Sequence, residues 1–249
     1  MTSRSKRRTR RSITIILVVV TMTLNACASL RSEEGPLYRH LFQEGTVNGE
    51  SLDWTISYPD SYQEGTPTPL ILALHFGGTP SAYYGSSFTN ILVLPGLGEL
   101  EAVILSPTCP AELNWWDEAM DGAVMALIDT VRSQFTIDDD RIVVTGFSFG
   151  GIGTWYFAGT HPDIFCAAIP VASRVSEEFI EQIEGIPLYV IHSNGDEVLP
   201  YADMAQRVTT LQSRGVDVTL KTVNGTSHYN TAAFARPLKT AMAWLRERW

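Results

Sequence analysis

Residues 141–150 read RIVVTGFSFG: the β-branched run Ile142-Val143-Val144-Thr145 flows straight into the pentapeptide Gly146-Phe147-Ser148-Phe149-Gly150. At average composition, roughly one chain in ten of this length carries Gly-x-Ser-x-Gly by accident, so context has to supply the meaning. The β-branched run reads as a core strand, and a helix is expected from Gly150 to Thr160. Small residues at 146, 150, 151 and 153 allow that helix to pack closely on the strand. A sharp strand-to-helix turn would lift the Ser148 hydroxyl clear of the sheet.

Working outward, continuous apolar runs recur at Leu70–Phe76, Ala102–Ser106, Cys166–Val171 and Leu188–His192, with a further strand at Val216–Val223. Such runs suit parallel strands covered on both faces. Leu52, Trp54, Ile56 and Tyr58 alternate with polar residues, which predicts a half-exposed antiparallel strand ahead of them. Met120, Ala123, Val124, Leu127, Ile128 and Val131 recur at helical spacing, with Asp117 and Glu118 favouring the helix N-terminus. Further helices are expected over Tyr201–Ser213 and Phe234–Arg248. Alternating strands and helices specify an α/β fold: a doubly wound, mostly parallel sheet with antiparallel N-terminal strands. The longest stretch between core elements is Gly77–Glu101, too short for a large cap domain.

A serine hydroxyl is a poor nucleophile until a base takes its proton and a carboxylate fixes that base's tautomer. Among the five histidines, His40 and His161 lie far from the end of the Ser148 strand, while His75 and His192 end core strands. His228 falls in the polar loop Asn224–Tyr229 after a strand, where an imidazole can reach the sheet's C-terminal edge. Asp196, in Ser193-Asn194-Gly195-Asp196-Glu197, follows another strand at that edge. The order Ser148, Asp196, His228 is that of an α/β-hydrolase. Glu197 is the alternative acid, and Asp196 is alternatively a cap for the helix near Tyr201.

The stretches DRIVVTGFSFGGIGTWYFAGTHPDIFCAAIPVAS, IPLYVIHSNGDEVLPY and GTSHYN resemble the small cap-less esterases of the α/β-hydrolase superfamily. The likeness is to the carboxylesterase, dienelactone hydrolase and polyhydroxybutyrate depolymerase-like group, and it covers about residues 52–249. It implies a serine esterase working without a cofactor. It also implies an oxyanion hole from the amide after the nucleophile, Phe149, and one from the loop His75-Phe76-Gly77-Gly78. Phe76 stands where the family has its first Gly, so the resemblance puts the second donor at Gly77. His75 is usually structural in the family. Similar esterases place an aromatic from the loop holding Trp115 and Trp116 beside the substrate; packing is the alternative for either residue. Relatives of prolyl oligopeptidase share the core, so peptidase activity is a second reading. An envelope acyltransferase and a non-catalytic binding lipoprotein are others.

Length and composition suit one domain: 249 residues, 45% hydrophobic and 18% charged. The first 26 residues hold six basic side chains and no acid, followed by an apolar run from Ile13 to Leu24 that is short for a bilayer span. Leu24-Asn25-Ala26-Cys27 resembles a bacterial lipobox. The expected organisation is therefore a lipoprotein signal peptide (1–26), lipidation at Cys27, a polar tether (27–36) and a catalytic domain (37–249), with anchoring in the cell envelope; plain secretion is the alternative. Thr9-Arg10-Arg11-Ser12-Ile13 also resembles a twin-arginine signal.

Removing residues 1–26 takes six positive charges from a net −9 and leaves −15. With no basic cluster after residue 27, nucleic acid is not an expected partner. Membrane association is expected through the lipid anchor alone. Cys109 and Cys166 are either a disulfide or two separate thiols. Asp138-Asp139-Asp140 reads as a solvated turn, because a calcium loop needs spaced ligands and a glycine; no metal is implied.

Overall fold

The structure, a computed structural model, describes residues 36–81 and 83–249. The signal peptide, Cys27 and all of the tether except Pro36 lie outside the described residues.

Eight strands form one sheet: β1 (Tyr38–Val47), β2 (Glu50–Pro59), β3 (Thr68–Leu74), β4 (Val103–Pro107), β5 (Ile137–Phe147), β6 (Ala167–Val171), β7 (Leu188–Ser193) and β8 (Val218–Val223). Their order is β1-β2-β4-β3-β5-β6-β7-β8. β1 and β2 pair antiparallel, β2 joins β4 antiparallel, and every later pair is parallel. The doubly wound sheet with antiparallel N-terminal strands is therefore present as expected.

The helices are α1 (Tyr84–Phe88), α2 (Leu94–Leu97), α3 (Glu118–Gln134), α4 (Phe149–Thr160), α5 (Glu177–Gln182), α6 (Tyr201–Ser213) and α7 (Ala235–Arg246). A π-helical turn, Thr89–Val93, joins α1 to α2.

The period of two in a strand sends its side chains into two separate cores. On β3, Leu70, Leu72 and Leu74 pack with α3, α4 and α6, whereas Ile71 and Ala73 pack with Phe88, Leu92, Leu97 and α7. At the sheet's centre Ile71 is flanked by Ile104 of β4 and Val143 of β5.

Three local expectations change. β2 is not half-exposed: Thr55 and Ser57 are buried as well as Trp54 and Ile56, because α1 packs on this strand and β1 covers its free edge. The polar side chain is satisfied there, with Ser57 Oγ 2.8 Å from His40 Nδ1. Asp138-Asp139-Asp140 is not a turn but part of β5, at a bulge where Thr68 pairs Ile137 and Leu70 pairs Ile142. Ion pairs of Asp138 with Arg141 and of Asp139 with Arg132 hold it there. Residues 84–100, without a clear periodic signal, are helical and cover one face of the sheet.

α4 approaches the sheet so closely that side chains are excluded. A Cβ on Gly150 would collide with the Leu74 carbonyl; one on Gly146 would come within 2.9 Å of the same oxygen, and one on Gly153 within 2.6 Å of Trp115 Cβ. The small residues of the opening stretch thus set how closely the Ser148 turn and α4 lie on the sheet.

Candidate active site

β5 ends at Phe147, and α4 begins at Phe149, so Ser148 alone makes the turn. Its φ of 54° and ψ of −112° lie in a region L residues rarely occupy. Two backbone bonds hold it there: Ser148 N–H donates to the Val171 carbonyl of β6 at 2.9 Å, and the Ser148 carbonyl accepts from Ile152 N–H at 3.0 Å. The hydroxyl consequently projects from the C-terminal edge of the sheet.

Loops after β7 and β8 meet it there. His228 Nε2 lies 2.9 Å from Ser148 Oγ, and His228 Nδ1 lies 2.8 Å from Asp196 Oδ2. Because an ionised carboxylate only accepts, Nδ1 carries the proton and Nε2 is left to accept from the serine hydroxyl. The Asp196 carboxylate is fully buried, and His228 is 6% exposed. Such a chain of carboxylate, imidazole and hydroxyl can draw a proton from the hydroxyl as its oxygen attacks.

Asp196 also shapes its own loop. Oδ1 accepts the Val198 and Leu199 amides at 3.0 and 2.7 Å, while Oδ2 is left for the imidazole. Asp196 does not cap the helix near Tyr201, whose N-cap is Pro200 without a side-chain hydrogen bond; its Oδ1 ties down the loop ahead of that helix instead. Glu197 does not face the imidazole. It accepts the His228 backbone amide at 3.0 Å and the Ser227 hydroxyl at 2.5 Å. Those contacts, chiefly the Ser227 hydrogen bond, hold its carboxyl below the usual carboxylate range. No pattern in the sequence distinguishes this role.

Behind Asp196 sits His192, whose Nε2–H donates to the Leu199 carbonyl at 2.9 Å. Its buried Nδ1 has no partner among the described residues, and burial lowers its pKa. His75 is likewise structural. Nδ1–H donates to the Phe76 carbonyl at 2.7 Å, while Nε2 accepts the Cys109 amide at 2.9 Å. Burial pushes its pKa down to about 4. His40 and His161 lie elsewhere, the latter paired with Asp121 at 2.6 Å.

Phe149 N–H opens α4 and so lacks the intrahelical acceptor that later amides have. Gly77 approaches it: a Cβ built there would lie 3.5 Å from Phe149 Cβ. Gly77 and Phe149, the two residues expected to serve an oxyanion, thus lie on segments that pack against each other.

The tryptophans part company. Trp115 is fully buried; its indole N–H donates to the His75 carbonyl at 3.3 Å, and its ring packs edge-on against His75. Packing, not substrate contact, is its place. Trp116 is half-buried, edge-on to Phe149, and lines a cavity of about 660 Å³ with Ile152, Tyr156, Val175 and Phe179. Cys109 and Cys166 are both free thiols, which resolves that alternative.

Known proteins with similar sequences add a family to this geometry. Feruloyl esterase C of Aspergillus niger, a probable assignment, is 26% identical over 170 residues, covering 65% of this chain and 61% of its own. Poly(3-hydroxyalkanoate) depolymerase C of Paucimonas lemoignei is 36% identical over 121 residues, covering 42% of this chain and 27% of its own. The chain thus spans less than two thirds of either relative's length. A thermostable esterase of known structure shares the fold with a TM-score of 0.71 at 23% identity, covering 84% of this chain and 62% of its own. The sequence pattern of the dienelactone hydrolase family matches residues 111–244, more than half of the chain and the part that holds Ser148, Asp196 and His228; the chain belongs to that family.

Proposed function

We propose that this protein is a serine hydrolase that cleaves carboxylic esters through an acyl-enzyme. One observation carries the reading: the unbroken hydrogen-bond chain from Asp196 through His228 to Ser148 at the mouth of the sheet. Ser148 Oγ attacks the ester carbonyl while His228 Nε2 takes its proton, and Asp196 stabilises the imidazolium that forms. The imidazolium returns that proton to the leaving alkoxide. Water, activated by the same imidazole, then releases the acid.

The Phe149 and Gly77 amides are assigned to the oxyanion. Their support is the N–H without an intrahelical acceptor at the start of α4 and the packing of Gly77 against the Phe149 side chain. Trp116 is assigned to the substrate side because it is the half-buried tryptophan of the pair and packs edge-on to Phe149, the residue after Ser148. The names of the similar proteins, feruloyl esterase, polyhydroxyalkanoate depolymerase and esterase, agree in ester cleavage and differ in substrate.

Export with a lipid on Cys27, after loss of residues 1–26, and a catalytic domain over 37–249 complete the reading. Its support is the basic, then apolar, N-terminal sequence ending in Leu24-Asn25-Ala26-Cys27. Labelling of wild type, but not Ser148→Ala, by a fluorophosphonate probe is the expected result, followed by turnover in a panel of p-nitrophenyl esters. Failure of wild type to label overturns the hydrolase assignment. Metabolic labelling with a fatty-acid analogue, lost in Cys27→Ala, tests the anchor.

A further inference from the structure

We propose that Glu197 is a positioning residue of the site: its carboxylate clamps the backbone of the loop that carries the imidazole. The inference rests on the assignment of His228 as base.

Hydrogen bonds to Asp196 and Ser148 orient the buried His228 ring but do not by themselves fix the backbone that carries it. A second anchor, at the backbone, is needed to define where Nε2 lies. Glu197 supplies it, with Oε2 accepting His228 N–H at 3.0 Å and Oε1 accepting the Ser227 hydroxyl at 2.5 Å. Ser227 Oγ in turn accepts Tyr229 N–H at 3.3 Å. Three consecutive residues around the imidazole are therefore tied to one carboxylate.

The clamp is the last rung of a ladder between two loops. Asn194 Oδ1 accepts Gly225 N–H at 2.8 Å, and Ser193 Oγ accepts Thr226 N–H at 3.0 Å. Gly195 lets the loops close, since a Cβ there would come within 2.7 Å of the Gly225 backbone. The segment 193–197 thus grips the segment 225–228 along its length: Asp196 takes the ring and Glu197 takes the backbone. A group in this place acts on proton transfer through geometry, and a shift of about 1 Å in such a group costs on the order of 100-fold in rate.

Glu197→Ala is expected to lower kcat about 10- to 100-fold with KM unchanged and with the thermal midpoint unmoved, because the side chain is exposed. Glu197→Gln is expected to keep kcat within about threefold of wild type: its amide oxygen still accepts from His228 N–H, and its amide nitrogen can donate to Ser227 Oγ. The His228 backbone amide proton, followed by NMR, should move upfield in Glu197→Ala and stay in place in Glu197→Gln. Wild-type kcat in Glu197→Ala, equal losses in both variants, or a loss that tracks a fall in thermal midpoint would each overturn the clamp. Absence of fluorophosphonate labelling in wild type would instead sink the hydrolase reading, and the amide shift would still test the clamp by itself.

Discussion

His228 Nε2 and Ser148 Oγ lie 2.9 Å apart although 80 residues of chain separate them. Their meeting depends on two strand ends, β5 and β8, that open onto the same edge with β6 and β7 between them. Each half of the pair is fixed by different neighbours, so substitutions on the two sides should fail in different ways.

Ser148→Ala is expected to remove on the order of a millionfold of kcat while leaving the fold intact. Ser148→Gly should be equally inactive yet more stable than Ser148→Ala by about 1 kcal/mol, because the turn's positive φ penalises any Cβ. Denaturant titration of the two variants checks this; an alanine variant at least as stable as the glycine one would contradict strain at the turn.

Asp196→Asn should fold and bind substrate but lose about 10,000-fold in kcat, since the amide presents a donor to Nδ1 and favours the wrong tautomer. Its Oδ1 can still accept the Val198 and Leu199 amides, so the loop should hold. Nitrogen NMR of the His228 ring would report the tautomer directly. A variant retaining wild-type kcat would remove Asp196 from the mechanism.

The two tryptophans predict opposite phenotypes. Trp115→Ala should cost about 3–5 kcal/mol, the usual penalty for deleting a fully buried aromatic. Trp116→Ala should cost far less in stability and instead raise KM for esters with bulky acyl groups. Thermal melts and a chain-length panel separate these outcomes, and a KM shift confined to Trp115→Ala would reverse the assignment.

Acid should weaken the fold at His75. Its pKa is lowered from 6.5 to about 4 by burial, so the unfolded chain binds the extra proton first as pH falls. The stabilisation is complete above pH 6.5 and is lost as pH drops from there towards about 4, a change on the order of 3 kcal/mol. The stability gap between wild type and His75→Asn, measured by urea unfolding, should therefore narrow at pH 4.5 relative to pH 7. A gap independent of pH would mean that this ring is not held neutral.

Much of the site could be read in the chain because each of its parts follows a strand. Apolar runs ending at Phe147, His192 and Val223 announce which loops share an edge, and the polar residues 148, 196 and 228 follow within a few positions. Residues 84–100 were not legible in the same way: the segment changes helical type three times and carries Gly96 and Gly98, so no single period marks it. Its helicity is secured by packing Phe88, Leu92 and Leu97 on the sheet. Burial of Thr55 and Ser57 escaped the alternation rule for a similar reason, since another element covers the face that the pattern leaves polar.

By itself the sequence determined the parallel strands from β3 onward, the helices after β4, β5, β7 and β8, and the strand-to-helix turn at Ser148, because hydrophobic period and glycine placement are local properties. Only the tertiary structure decided which oxygen of Asp196 meets the imidazole, that Glu197 holds the backbone instead of the ring, and that Trp115 is core while Trp116 faces a cavity. Those choices turn on distances between loops remote in sequence. Differences of an ångström there decide which atoms bond, and no periodicity along the chain encodes them.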